Sequence, residues 1–322
     1  MAKYLVTGGC GFIGSHLVDA LISQGHDVKV LDNLSTGKRE NVSVHAEVIV
    51  GDITNVDLVN SCFDKIDYCY HLAAITRVDK SNKNLIESHQ VNQTGALNIF
   101  NAARKNKTPV VYASSSAVYG DNADIPLKES SEVRPLTAYA ADKLGTEAHS
   151  RVASLVYGVP TLGLRFFNVY GPRQNSASPY VGMISELIER GLTGTPLTIY
   201  GDGEQTGDYI FITDAIQYLL KSMEKVGKIP SIYNVCSGEP VTINQLATTI
   251  IMLTNSDRCP LKYEVNRRND ISVSIGSCLK AKQQLNIEMH IPLIRGLRAL
   301  IDYMFIEKQE INECLLKTIE RF

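Results

Sequence analysis

Short apolar runs alternate along the chain with longer stretches in which apolar residues recur every three or four positions. Tyr4-Leu5-Val6 is the first run, Leu17, Ala20 and Leu21 fall at helical spacing between Ser15 and Gln24, Gly25 breaks the pattern, and Val28-Lys29-Val30-Leu31 is the second run. Further strand-like runs are Glu47 to Val50, Tyr68 to Leu72, Val110 to Ala113, Thr161 to Phe166 and Ser231 to Val235. Helical periodicity covers Gln90 to Lys105, through Val91, Thr94, Leu97, Ile99 and Ala102, and Pro135 to Val156. Such alternation predicts an α/β fold, a doubly wound parallel sheet with helices on both faces and ligands at the carboxyl ends of the strands.

From Gly171-Pro172-Arg173 onward the elements shorten and Pro and Gly punctuate them, as at Gly201-Asp202-Gly203. No Gly/Ser-rich linker divides the chain, so two interwoven parts are expected. Residues 1–171, rejoined by about 208–238, form the nucleotide-binding domain, and 172–322 form mainly a substrate-binding region. Asp302 to Phe322, with Tyr303, Ile306, Ile311, Leu315, Leu316 and Ile319, reads as a C-terminal helical extension whose apolar residues serve core or subunit contact.

Chemistry enters at the first turn. Gly8, Gly11 and Gly14 follow a strand and open a helix, and Asp32 ends the next strand. Glycines there let the backbone approach a pyrophosphate, which the helix start favours, and an acid at the next strand end accepts bonds from a ribose diol. A carboxylate at Asp32 would also repel a 2′-phosphate, which selects NAD over NADP. Asp52-Ile53 ends the third strand near where an adenine would lie; Asp52 could equally cap the helix over Asn55 to Phe63. Ala73-Ala74 after Leu72 would let a cofactor come close. His71, inside a strand, reads as packing.

Composition narrows the class. A formal net charge of −2 over 322 residues gives no electrostatic footprint for nucleic acid or an anionic membrane. No apolar run reaches membrane-spanning length and no signal-peptide core precedes the first strand, so a cytoplasmic enzyme is expected. The cysteines at 10, 62, 69, 236, 259, 278 and 314 have neither Cys-x-x-Cys nor metal spacing. They are expected to be reduced packing residues, without disulfides or a metal site.

Tyr139 and Lys143 stand at i and i+4, hence on one helix face. A nearby ammonium favours phenolate, so the tyrosine pKa is expected to fall from about 10 toward neutrality and make it an acid/base. Ser114-Ser115-Ser116 end the preceding strand, where a hydroxyl could hold the substrate oxygen.

These motifs give the chain a specific resemblance. Gly8-x-x-Gly11-Phe12-Ile13-Gly14-Ser15-His16-Leu17 resembles the extended short-chain dehydrogenase/reductases, and nearly the whole chain is similar to NAD-dependent sugar-nucleotide epimerases/dehydratases, most of all UDP-hexose 4-epimerases. The matching pieces also include Asp32-Asn33-Leu34-Ser35-Thr36-Gly37, Gly51-Asp52-Ile53, His71 to Ala74, Asn92, Ser114 to Gly120, Tyr139/Lys143 and Leu164 to Arg173. The resemblance implies a Rossmann domain binding NAD through Gly8, Gly11, Phe12, Ile13, Gly14, Asp32, Asn33, Ser35, Thr36, Gly37, Asp52, Ile53, Leu72, Ala73, Ala74, Asn92, Ser114, Tyr139, Lys143 and Phe166. It makes Ser115, Tyr139 and Lys143 catalytic. Nucleotide-sugar contacts would come from Ser115, Ser116, Asn168, Tyr209, Arg267, Asp270 and Ser274. Where 4,6-dehydratases carry an Asp-Glu pair after the catalytic hydroxyl, and related decarboxylases a Glu at the second position, this chain has Ser116 and Ala117, which implies 4-epimerisation. The small Ser274 implies that N-acetylated hexosamines are accepted, and dimerisation through two helices per subunit implies a homodimer. Two positions depart from the pattern: Gly207 stands for the usual Arg before Asp208-Tyr209, and Arg77 for a small residue near the sugar. They leave open an epimerase or reductase for another NDP-sugar; a non-catalytic NAD-binding regulator is the remaining alternative.

Overall fold

The computed structural model describes residues 1–174, 183–255, 260–265, 273–287 and 291–319, with 307–319 as main chain only. In chain order the first half comprises β1 (Lys3–Thr7), α1 (Phe12–Ser23), β2 (Asp27–Asp32), β3 (Glu47–Val50), α2 (Val56–Cys62), β4 (Tyr68–His71), α3 (Val78–Lys83), α4 (Leu85–His89), α5 (Gly95–Ala103), β5 (Val110–Ser115), α6 (Ala138–Leu155) and β6 (Thr161–Phe166). There follow β7 (Asn168–Tyr170), α7 (Met183–Thr193), β8 (Leu197–Tyr200), β9 (Thr206–Phe211), α8 (Ile212–Lys225), β10 (Ser231–Val235), β11 (Pro240–Thr242), α9 (Ile243–Leu253), β12 (Leu261–Glu264), β13 (Val273–Ser274), α10 (Leu279–Leu285) and α11 (Leu293–Ile319).

Seven strands make one parallel sheet in the order β3-β2-β1-β4-β5-β6-β10. The chain starts in the middle, winds out to β3, then crosses to β4 and winds the other way, so the strand order reverses between β1 and β4. That is the Rossmann-type α/β arrangement, and its reversal opens a crevice at the carboxyl ends of β1 and β4. Strand residues alternate between two cores because successive side chains leave a strand on opposite faces. Tyr4, Val6, Val28 and Val30 join Leu17, Val18 and Leu21 of α1 and Ala215 and Leu219 of α8. Leu5, Leu31, Val110 and Tyr112 join Val59 of α2 and Ile99, Phe100 and Ala103 of α5. Both faces are covered, which is why these strands read as nearly unbroken apolar runs.

The smaller sheet is built around β9. Its first half pairs with antiparallel β11 and parallel β13, and its second half with parallel β7, while β8 and β12 form a separate parallel pair. Only Phe167 separates β6 of the large sheet from β7 of the small one, and its N–H donates to the Val235 carbonyl at 3.0 Å.

Helix ends shift by a few residues from the pattern-based expectation, α6 starting at Ala138 after its Thr137 cap rather than at Pro135, and two differences are larger. The helix expected over Gln90 to Lys105 continues back into α4 through a π turn at Gln90–Thr94, with no Pro or Gly to stop it. The C-terminal helix starts at Leu293 rather than Asp302, directly after Pro292, whose fixed φ favours a helix start.

Candidate active site

β1 leads into the glycine turn. Gly8 has φ +72°, and a Cβ there would lie 2.7 Å from the Ala73 nitrogen; a Cβ on Gly14 would collide with the Gly8 carbonyl. Glycine alone keeps this hollow open. Helices α2 and α6 are capped by the side chains of Asn55 and Thr137, but α1 starts after Gly11 with no side-chain cap. The amides of Phe12, Ile13 and Gly14 in its first turn are therefore left for an anion. Asp32, buried at the end of β2, accepts Cys10 N–H at 2.9 Å on one oxygen and Leu34 N–H at 2.8 Å on the other. Its carboxylate is pinned beside the turn with lone pairs left for hydroxyls.

The loop 33–37, which contains Thr36, closes against the same turn. Gly37 lies against Cys10, Ser35 N–H donates to Asn33 Oδ1 at 3.0 Å, and Asn33 Nδ2 donates to Asp52 at 2.7 Å. Asp52 also accepts the Thr54 N–H and hydroxyl, so it orders the turn before α2, whose cap is Asn55. The hollow, the uncapped amides and the anchored acid fit a dinucleotide.

Several residues expected to touch the cofactor do something else with their side chains. Ile53 is buried against Gly95, which leaves only its main chain at the strand end. Asn92 is buried and spends its amide on the Ile75 peptide, accepting from its N–H at 2.7 Å and donating to its carbonyl at 3.0 Å, so it fixes the loop after Leu72-Ala73-Ala74. The Ser114 hydroxyl turns away to Glu147. His71 is buried, hydrogen-bonded to Thr7 at 2.8 Å and held neutral, its pKa lowered to about 3 by burial and by Lys143.

The strand β5 delivers Ser115, whose Oγ accepts Ala117 N–H at 3.1 Å and lies beside Tyr139 in the first turn of α6. Ser115 lies opposite Phe166, the last residue of β6, and Ser116 begins the short turn that follows. Lys143, one turn after Tyr139, is 3% exposed and donates to the Ala113 carbonyl at 2.8 Å. Its Nζ lies 5.8 Å from the Tyr139 ring centre. The tyrosine pKa does not fall as expected: although part of the ring remains accessible, the dense protein around it desolvates the phenol and raises its pKa, which the neighbouring Ser115 hydroxyl only partly opposes. Burial instead acts on the lysine, lowering its pKa to about 8 against the attraction of Asp142.

Behind these groups lies an ion pair that the sequence reading missed. Arg165 grips Glu147 with two hydrogen bonds of 2.8 and 2.7 Å, each side chain 5% exposed, and Ser114 donates to the same carboxylate at 2.5 Å. The Arg165 guanidinium also stacks 4.7 Å over Tyr119. Tyr139, Lys143 and Glu147 share one four-residue spacing, and Arg165 interrupts an apolar strand; together these were the available signal.

The NAD dependent epimerase/dehydratase family matches residues 4–236. The chain belongs to this family. It is an enzyme family that uses NAD. A protein provisionally named UDP-glucose 4-epimerase from Methanocaldococcus jannaschii is 33% identical over 93% of this chain and 97% of its own. The structure of a UDP-glucose 4-epimerase from Thermotoga maritima, bound to UDP-glucose, superposes with a TM-score of 0.90 at 32% identity, over 95% of this chain and 99% of that one. A UDP-N-acetylglucosamine 4-epimerase from Methanobrevibacter ruminantium, in complex with UDP-N-acetylmuramic acid, gives 0.89 at 34%, over 95% and 99%. Decarboxylases of UDP-linked uronic acids are also relatives, at 30 to 35% identity.

In this family member three of the residues expected at the nucleotide sugar, Asn168, Tyr209 and Ser274, lie on the small sheet. Asn168, exposed, opens β7 opposite Tyr209 of β9 and donates to the Asp208 carbonyl at 2.8 Å. Tyr209 is buried, which raises its phenol pKa to about 12. Ser274, half-buried, pairs with Gly207 across β13 and β9. A Cβ on Gly207 would lie 2.9 Å from the Tyr209 hydroxyl oxygen, so the absent side chain is what admits that ring. Arg77 is held by Asp79 through bonds of 3.2 and 2.7 Å. Arg267 and Asp270 lie outside the described residues. Asp208, named in the sequence only beside Gly207 and given no role there, is fully buried and accepts from Ser237 N–H and Oγ, Gly238 N–H and Gly276 N–H. An open depression of about 560 Å³ lined by Lys3, Asp27, Lys65 and Asp67 lies at the opposite, amino-terminal edge of the large sheet and holds none of these groups. Among the described residues no helix is long and apolar enough to cross a membrane, and no cluster of His, Cys, Asp and Glu suits a metal ion.

Proposed function

We propose that the protein interconverts UDP-hexoses at C4, N-acetylated hexosamines included, with Ser115, Tyr139 and Lys143 as the catalytic groups. The observation that carries this reading is the placing of Ser115 beside Tyr139 with Lys143 one turn on, in a site where Ser116 and Ala117 follow the serine. Elimination or decarboxylation chemistry at that point would call on a carboxylate. The two on α6 are engaged elsewhere, Glu147 with Arg165 and Asp142 with Ser88 and His89.

Ser115 holds the C4 oxygen of the sugar while Tyr139 takes its proton, and Lys143 supplies a positive charge that favours the phenolate. Bound NAD supplies the hydride acceptor, and its hydride is available for return. NAD held at the glycine turn and Asp32 would in this way allow oxidation at C4 and, once the 4-ketosugar has turned, reduction on its other face, with Tyr139 returning the proton. The protein contributes register and proton transfer. Asn168, Tyr209 and Ser274 bind the nucleotide sugar in this proposal, and Ser274 leaves room for an acetamido group. The assembly is a homodimer through α4, α5 and α6, where Leu85, Ile86, Val152 and Leu155 are exposed apolar residues.

The test is incubation with UDP-, dTDP- and GDP-sugars without added cofactor, followed through the anomeric proton signals. C4 epimers of UDP-hexoses should form from either direction. A pentose with released CO₂, an accumulating 4-keto-6-deoxysugar, or no conversion of any UDP-sugar would each overturn the proposal.

A further inference from the structure

The Asp208 side chain draws three separate stretches of the chain together. Gly207 and Tyr209 share one face of β9, and Asp208 takes the other, where it is fully buried. One of its oxygens accepts the Ser237 N–H and the Ser237 hydroxyl, both at 2.7 Å. The other accepts Gly238 N–H at 2.9 Å and Gly276 N–H at 3.3 Å, so the four lone-pair sites of the carboxylate are filled. Ser237 and Gly238 follow β10, the outermost strand of the large sheet, and Gly276 lies two residues beyond Ser274. The Asp208 carbonyl meanwhile accepts from the Asn168 side chain at 2.8 Å. Tyr209 is thus tied to this residue by the chain, Asn168 by the carbonyl, and Ser274 through Gly276.

The stretch 275–277 is also held from its other flank. Leu127 N–H donates to the Ile275 carbonyl at 2.8 Å, and Ser277 N–H donates to the Leu127 carbonyl at 2.8 Å. Leu127 stands between the turn after Ser115 and the helix that carries Tyr139. At Gly276 the backbone comes as close as glycine permits, since a Cβ there would lie 2.7 Å from both Cys236 Sγ and the Phe167 ring. All four donors to Asp208 are neutral, and burial raises its pKa, which the hydrogen bonds only partly oppose. As a filler of space an apolar residue would cost less than this buried charge. What the carboxylate adds is geometry, because its two oxygens fix the 237–238 turn and the end of β13 relative to β9.

We propose that Asp208 is a positioning residue for the nucleotide sugar, its carboxylate setting where Ser274 stands relative to Tyr209 and Asn168 and so how tightly the substrate is held. This rests on the reading of those three residues as nucleotide-sugar contacts. Asp208 touches neither the sugar nor NAD, and acts through the main chain of its neighbours.

The test is Asp208→Asn in the protein with NAD bound, assayed with UDP-glucose and UDP-N-acetylglucosamine. The amide keeps the shape of the carboxylate, but its nitrogen donates and cannot accept, so two of the four donors lose their acceptor. KM should rise roughly tenfold for both sugars, the size expected when bonds to a charged group are lost, while kcat stays within about threefold. NAD affinity measured by calorimetry should not change. Ser237→Ala removes one of the four bonds and keeps the carboxylate, and it carries the test if circular dichroism shows Asp208→Asn to be unfolded; its KM should rise by roughly threefold. An unchanged KM with a lower kcat or a smaller active fraction, or an NAD affinity that falls together with sugar affinity, would make Asp208 merely structural and overturn the proposal. A wild-type protein that converts no UDP-sugar would overturn the C4 reading along with it, whereas an active wild type with unchanged KM in the folded variants would overturn this inference alone.

Discussion

Replacing Arg165 by Met tests whether the buried ion pair fixes the two elements that carry the catalytic groups. Glu147 lies on α6 with Tyr139 and Lys143, and it accepts from Ser114, the neighbour of Ser115 on β5. Without Arg165 the carboxylate keeps only the Ser114 hydroxyl among its side-chain partners, in a place where it is 5% exposed. Breaking a buried pair from one side costs about 3–5 kcal/mol because a charge is left unmatched. Converting all members to apolar groups removes the unmatched charge as well as the attraction. The triple change Ser114→Ala, Glu147→Leu, Arg165→Met should therefore be far less destabilising than Arg165→Met with Glu147 retained.

Urea unfolding followed by circular dichroism gives the two free energies, and their comparison shows whether the loss comes from the charge left unmatched. Turnover reports the second consequence, since a misplacement of about 1 Å in a catalytic constellation can cost roughly 10²-fold. Arg165→Met should lose turnover even at temperatures where it remains folded. A loss below about 1 kcal/mol in Arg165→Met, or a triple variant as unstable as the single one, would show that the pair is not held as a desolvated unit and would refute the reasoning.

Three further outcomes follow from the same geometry. Tyr139→Phe should keep the fold and NAD affinity while turnover falls by at least ~10²-fold, as when a general acid/base is lost; near-normal turnover would place the proton transfer elsewhere. Ser274→Tyr should abolish activity on UDP-N-acetylhexosamines and largely spare the plain hexoses, with equal loss of both marking the residue as merely structural. Lys143 has a folded pKa of about 8 against 10.5 for the free side chain. The unfolded chain therefore holds the extra proton between those values, and stability should rise with pH through that window. Lys143→Met should flatten the rise, which urea titrations at pH 7.5 to 10.5 would measure; an unchanged slope would mean that Lys143 is not desolvated in the fold.

The large sheet was legible because its signals are local. Each parallel strand is covered on both faces and so appears as an apolar run, and the glycine turn and Asp32 sit where one strand-turn-helix unit puts them. What remained hidden depends on groups distant in sequence. Asn92 reads as a candidate cofactor contact until its amide is found on Ile75, and Ser114 reads as a crevice hydroxyl until Glu147 claims it. The Tyr139–Lys143 spacing correctly placed both side chains on one face, but the direction of the tyrosine pKa depends on packing density around the phenol and on where Lys143 sends its proton. Neither is encoded in an i, i+4 pattern.

The same distinction explains why Gly207 is more than a missing arginine. On β9 the side chains alternate, and Asp208 points into a buried cage of one hydroxyl and three amides that ties β9 to residues 237, 238 and 276. Gly207 and Tyr209 share the other face, and the Tyr209 ring occupies the space beside Gly207 that a side chain would need. A residue with a Cβ at 207 must displace that ring, and with it the side of Tyr209 next to Ser274 through the Gly207 pairing. The exchange is therefore between a cation and an aromatic surface. It changes how the small sheet meets its ligand while leaving the Asp208 cage, and hence the fold, untouched.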